Sequence, residues 1–295
     1  MAAPFRFDDN EDLIDICMDN VFKAVFAKDS PASHTALSRL VSAIIGRDVE
    51  ILTITANEPA PESLRDRQIR FDINCKAADG ELVNVEMSLN PDPFEPVRLE
   101  FHAAKLFTGQ DIRGSEKTYD DLRRAYQIAI LGKDRFFSDR EFFHSFEYYD
   151  PQRRMTLNGR TRILTLELLK LEDVAKKPAR EMSGTELWAV YFRYLTDNRM
   201  REKINEIIEQ EEGIAMASEV LQEISRDEVE RARLMSEYKY QLDMQSKLVH
   251  AKREGIKEGE KRGEKRGEKR GEKKIVELLK SGKSPEEIIK EYDSQ

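Results

Sequence analysis

Ile69-Arg70-Phe71-Asp72-Ile73-Asn74-Cys75-Lys76, the turn Ala77-Ala78-Asp79-Gly80 and the run Val83-Asn84-Val85-Glu86-Met87-Ser88-Leu89 form the stretch that decides the fold. In both runs apolar residues alternate with polar ones, the period of a strand with one buried face. Two such runs around an Asp-Gly turn make a β-hairpin. Parity then selects its register. A two-residue Asp79-Gly80 turn would set Asp72 opposite Met87, polar against apolar. A three-residue loop, Ala78-Asp79-Gly80 with Gly80 left-handed, sets Asp72 opposite Glu86, Asn74 opposite Asn84 and Arg70 opposite Ser88. Phe71, Ile73, Cys75, Val83, Val85 and Met87 then share the other face. A one-residue slip would flip every side chain, so the second register is the consistent one. It brings two carboxylates opposite each other, with Cβ atoms roughly 5 Å apart.

Like charges in that position destabilise a sheet unless something offsets them. A divalent cation does so, because Mg²⁺ takes one or two carboxylates together with water and phosphate oxygens. Held there, it can activate water and offset charge developing on a phosphodiester. The alternative is a solvated strand face on which Arg65, Arg67 or Arg70 neutralises the pair. The spacing leaves both open.

Outward from the hairpin, residues 13–46 read as helical, with Leu13, Ile16, Cys17, Val21, Phe22, Val25 and Phe26 recurring at three and four, and a second stretch at 35–45 ending on Gly46. Residues 49–56 are strand-like and precede a Pro-rich loop at 58–62. Helical patterning returns over 98–112, residues 124–131 read as a buried strand, and 144–149 and 162–169 are further strands. Helices around a central sheet make an α/β protein. From Gly184 the chain is nearly all helical, with an apolar region at Trp188, Val190, Tyr191, Tyr194 and Leu195 that reads as helix packing rather than base stacking. Residues 225–274 form a long charged helix. Four tetrapeptides, Gly-Glu-Lys-Arg at 259, 263 and 267 and Gly-Glu-Lys-Lys at 271, lead to a tail whose Ser284-Pro285-Glu286-Glu287 is a capping box. The expected organisation is a core at 1–182, a helical region at 183–250 packing on or extending from it, a charged repeat at 251–274 and a short helix-turn-helix at 275–295.

The 295 residues carry a net charge of −8, which argues mildly against nucleic acid, but residues 252–274 hold eleven Lys/Arg against six Glu. No window resembles a membrane span or a secretory start. Two cysteines, Cys17 and Cys75, fit a reducing cytoplasm, and four scattered histidines offer no zinc-ligand spacing. The repeat glycines cost a helix about 1 kcal/mol each. They suit an oligomerisation stalk, a phosphate-contacting segment or a solvated linker.

At this point the residues resemble a known family, the PD-(D/E)XK nuclease family transposases, which include bacterial recombination-promoting nucleases. Asp19-Asn20-Val21-Phe22-Lys23-Ala24-Val25-Phe26 is similar to its opening helix, Arg70-Phe71-Asp72-Ile73 and Asn84-Val85-Glu86-Met87 to its two motif strands, and Gly114, Tyr119 and Leu122 to a later segment. Glu167-Leu168-Leu169-Lys170 looks like the end of its sheet, and Trp188 with Phe192 like the helix that follows. The resemblance implies an α/β restriction-endonuclease-like core, a mixed sheet flanked by helices, with a long helical C-terminal extension. It also implies a Mg²⁺- (or Mn²⁺-) dependent DNA endonuclease linked to recombination or mobile elements; the chain itself is expected to be cytoplasmic and homo-oligomeric through its C-terminal helices. Asp72 and Glu86 would hold the metal, with Asp19 as a helix-borne acidic contributor. Ser88 stands where the superfamily has Lys and this family commonly Gln. Its hydroxyl can hydrogen-bond a water but brings no charge, so Lys23 or Lys76 would have to supply it. The alternative is a weakened nuclease fold that serves as a DNA-binding or interaction module.

Overall fold

The computed structural model describes residues 5–55, 72–91, 93–113, 116–132, 136–157 and 159–293. Residues 56 and 69–71, the Pro-rich loop, Arg65, Arg67, Arg70 and Gly114 lie outside them. The chain divides into two compact units, Met1–Tyr238 and Lys239–Gln295.

The first unit is built on the hairpin. Strand β1 (Ile51–Thr55) pairs antiparallel with β2 (Ile73–Ala77), and β2 with β3 (Leu82–Ser88), in the register Ile73 to Val85, Asn74 to Asn84 and Cys75 to Val83. The loop is the three-residue one: Ala77 N–H donates to Glu81 O at 2.9 Å, and Gly80 sits at φ 86°, a left-handed conformation that favours glycine. Strand β4 (Ala125–Leu131) lies parallel to β3. After β5 (Phe143–Phe146) and a small ribbon of β6 (Tyr149–Asp150) and β7 (Met155–Thr156), β8 (Thr161–Glu167) lies parallel to β4, and β5 closes the far edge. The order is β1-β2-β3-β4-β8-β5. This mixed six-stranded sheet flanked by helices is the restriction-endonuclease-like α/β fold with a long C-terminal helix.

The alternation of side chains explains the layers. Ile73, Cys75, Val83, Val85, Ile128, Ile130 and Leu166 are buried in the main core. They share it with α1 (Asp19–Phe26), α2 (Pro31–Ile45) and α4 (Gly184–Tyr194). The opposite face carries Asn84, Glu86, Gln127, Ala129 and Thr165, in line across β3, β4 and β8. There α3 (Glu95–Thr108) covers the sheet, its Leu99 packed with Ala129 and Leu131. Trp188, fully buried, meets Phe26 and Phe192 at ring-centroid distances of 5.8 and 5.7 Å, so it is core. Cys75 is likewise a buried free thiol.

Some expected boundaries move. Residues 13–18 are not helical, although Leu13, Ile14, Ile16 and Cys17 are buried. The Asp15 carboxylate accepts the Cys17 N–H at 2.9 Å and Asp15 O the Met18 N–H, a local turn that competes with helix. The second helix starts at Pro31 rather than 35, because Ser30 caps Ser33 N–H at 3.2 Å and proline suits the first helical position. Gly46 ends it at φ 80°.

The first unit continues through α5 (Arg201–Gln210), α6 (Glu212–Arg226) and the start of α7 (Glu228–Lys280). In the second unit Lys239 onward continues α7, and Gly282 at φ 93° turns the chain into α8 (Pro285–Asp293). Ser284 and Glu287 form the expected capping box, each side chain accepting the other's backbone N–H.

Candidate active site

Asp19 opens α1, where the helix dipole favours a carboxylate. Lys23 follows one turn later, and its ammonium lies 2.9 Å from Asp19 Oδ1 and 3.1 Å from Asp72 Oδ1. Asp72 immediately precedes β2, and its other oxygen accepts the Met87 N–H at 2.9 Å. Burial and the neighbouring Asp19 carboxylate, with a lesser push from Glu86, raise the Asp72 carboxyl to about 7 despite the pull of Lys23 and of the Met87 N–H. Burial works against the Lys23 charge, but Asp72 and Asp19 outweigh it and hold Lys23 above its ordinary value.

Glu86 projects from the middle of β3 and is nearly buried. Its Oε1 takes Arg98 Nη2 at 2.8 Å, while Oε2 accepts Gln127 Nε2 at 3.2 Å and lies 3.3 Å from His102 Nδ1. Asn84 Nδ2 in turn donates to Gln127 Oε1 at 2.8 Å, which fixes the orientation of that amide. Arg98 also reaches the buried Glu95 at 2.6 Å and lies 3.4 Å from Ser88 Oγ. Thus α3 lays a cation along the carboxylate row.

The five residues singled out in the sequence, Asp19, Lys23, Asp72, Glu86 and Ser88, are brought together through two cations and one charge effect: Lys23 joins Asp19 to Asp72, Arg98 joins Glu86 to Ser88, and the Glu86 charge is felt at Asp72. Lys76 is not: it lies exposed, four residues along the strand from Asp72, or roughly 13 Å. The sequence reading missed Arg98, Glu95, His102 and Gln127. The i, i+3 and i, i+4 spacing of Glu95, Arg98 and His102 was a signal. So was the one amide in the otherwise apolar run Ala125–Leu131, since a buried polar group must find a partner.

Charge compensation within the described residues comes from Lys23 and Arg98, one for each strand carboxylate. It is incomplete in number, because four carboxylates (Asp19, Asp72, Glu86 and Glu95) face two cations; the raised Asp72 carboxyl reflects burial first and the Asp19 and Glu86 charges after it. Among the described residues no three His, Cys, Asp or Glu side chains form a ready ligand set. Mg²⁺ needs only one or two carboxylates beside water and phosphate, and Asp72 and Glu86 offer hard oxygens of that kind. Lys23 and the Met87 N–H hold those of Asp72, and Arg98, Gln127 and His102 hold those of Glu86.

A second buried pair closes β8. Lys170 Nζ lies 2.6 Å from Glu167 Oε1, and Glu167 Oε2 accepts the N–H groups of Phe136 and Phe137 at 2.6 and 3.2 Å. The Glu-Leu-Leu-Lys motif therefore pins the loop that follows β4.

A mixed six-stranded sheet flanked by helices, with Asp72 held by Lys23 of α1 and Glu86 by Arg98 of α3, makes this an α/β protein of the restriction-endonuclease-like kind. The chain belongs to the PD-(D/E)XK nuclease family transposases, the family that matches residues 16–251. No curated protein and no solved structure matches it. PD-(D/E)XK nucleases generally use divalent metal ions. No helix among the described residues is long and apolar enough to cross a membrane.

Proposed function

We propose that this chain is a Mg²⁺-dependent DNA endonuclease (Mn²⁺ serving equally) that hydrolyses phosphodiester bonds in recombination or mobile-element processes. What supports this reading is the family match over residues 16–251, together with Asp72 and Glu86 standing close enough for the Glu86 charge to raise the Asp72 carboxyl. Asp72 and Glu86 would hold the ion, which when bound supplies an activated water and a counter-charge for the phosphate. Lys23 steadies Asp72 and Asp19. Gln127 and His102 orient Glu86, and Ser88 offers its hydroxyl to the attacking water. Arg98, within 3.4 Å of Ser88, is suited to supply the charge that serine lacks. Free buried thiols suit a reducing cytoplasm, and the C-terminal helices suit a homo-oligomer. The proposed division remains a nuclease core at 1–182, with the helical region, the repeat and the tail behind it.

Ser88 is also what favours the second reading, a weakened nuclease fold that binds DNA or a partner without cutting. Plasmid nicking with Mg²⁺ or Mn²⁺ separates the two when wild type, Asp72→Ala and Arg98→Ala are run together. Cleavage lost in both variants supports the enzyme. Equal background in all three supports the binding module.

A further inference from the structure

Helix α3 has two flanks. Arg98 and His102 face Glu86. Beyond the other flank lies a groove of about 330 Å³. Leu99 and Ala103 form its helical wall, Ile163 and Thr165 of β8 its floor, and Phe137, Phe146 and Tyr148 its outer wall. Phe146 and Tyr148 stand 41% and 58% exposed, so these rings are offered to solvent rather than folded inward.

Thr165 is fully buried, and its hydroxyl finds no hydrogen-bond partner among the described residues. A buried polar atom is seldom left so. A purely apolar occupant would leave the hydroxyl unsatisfied, and the exposed Glu100 at the rim disfavours a phosphate. What fits is a flat apolar body carrying hydrogen-bonding atoms. Glu86, Ala129 and Thr165 are paired in line across β3, β4 and β8. Asp72, beside β2, is three strand spacings from the groove floor, and Glu86 is two, roughly 10 Å. That is the rise of about three stacked nucleotides, fewer once a strand unstacks.

We propose that this groove takes one unstacked nucleobase of the DNA strand whose phosphate lies at Asp72 and Glu86, with the rings of Phe137 and Phe146 against the base and Thr165 bonded to its edge. The proposal rests on the nuclease reading. Stacking on aromatic side chains tolerates any base and is lost when the base is removed. A single strand presents its bases without an unpairing penalty.

The test uses the full chain and short labelled single strands, each lacking one base at a different position. Affinity is read by fluorescence anisotropy with Ca²⁺, an ion of the same oxygen-ligand chemistry. One abasic position should weaken binding about tenfold while the rest change little. Ala104→Trp, at an exposed lining residue, plugs the groove, and Thr165→Val removes the hydroxyl at constant shape. Both should shrink that position-specific loss without altering the salt dependence set by phosphate contacts. Equal small losses at all positions, with binding intact, overturn the groove and leave the nuclease reading standing. So does a position-specific loss that persists in both variants. Self-association abolished by Ala104→Trp would assign the groove to a second copy and overturn the base. If wild type binds no single strand at all, the groove proposal falls, and the nuclease reading is decided by the plasmid-nicking assay.

Discussion

Asp72 has the most exposed balance of forces of any side chain in the site. Its carboxyl, raised to about 7 chiefly by burial and Asp19, keeps its proton in the metal-free fold well above the pH at which the unfolded chain gives it up. Between about pH 4 and 7 the folded state therefore binds more protons than the unfolded one, and stability falls as pH rises through that window. The full span is worth up to about 4 kcal/mol. Asp72→Asn should accordingly match wild type in metal-free melts at pH 5 and exceed it at pH 8. Mg²⁺ should raise the wild-type melting temperature at pH 8 and leave the variant unmoved. A wild-type melt that is flat from pH 5 to 8 and indifferent to Mg²⁺ would remove the basis for a metal at this position. Arg98 carries the opposite risk. Arg98→Ala would leave Glu86 and Glu95 buried without their cation, and breaking a buried pair costs about 3–5 kcal/mol. The half-exposed guanidinium reduces this toward 2 kcal/mol or so. A denaturant midpoint unchanged by the substitution would show that the two glutamates do not depend on it.

Among the elements, the hairpin was legible because alternation over two runs admits one register, and Gly80 supplies the left-handed residue that register needs. Helix α3 was legible as a helix and not as part of the site. Arg98 and His102 act only after the chain returns over β3, and no local pattern encodes which strand a helix will cover. Arg65, Arg67 and Arg70, the alternative partners for the pair, lie outside the described residues, and among the described residues the cations at the carboxylates are Lys23 and Arg98, from elements before and after the hairpin. Residues 13–18 misled because buried apolar residues at helical spacing do not report the Asp15 turn. The packing of α2 on α6 (Glu212–Arg226) was also hidden. It depends on Gly213, where a Cβ would stand 2.4 Å from Arg39 Cβ and 3.1 Å from Trp188. Helix propensity alone predicts that Gly213→Ala stabilises by about 1 kcal/mol. The clash predicts the reverse, a loss of about 1–3 kcal/mol from overpacking. A chemical melt of the variant reads the sign directly, and a rise in midpoint would mean that the two helices are not so close.

Over the whole molecule the same substitution changes meaning. At Gly259, Gly263, Gly267 and Gly271 a Cβ would meet nothing within 4 Å among the described residues, and no glycine there needs a positive φ. Replacing all four with alanine should favour helix by about 4 kcal/mol in sum, visible as a gain in helical circular dichroism. It leaves the charge untouched, so a phosphate-contacting segment would keep its DNA affinity and salt slope. A linker would change in helicity alone. An oligomerisation stalk would behave differently, because a line of glycines lets two helix backbones approach and four added methyl groups push them apart. The homo-oligomer proposal therefore expects the variant to gain helix while sedimenting as a smaller species. More helix at unchanged sedimentation would mean that the glycine line makes no contact between chains, and any assembly would then have to be sought on the apolar side chains that α7 leaves exposed, such as Ile256 and Val276.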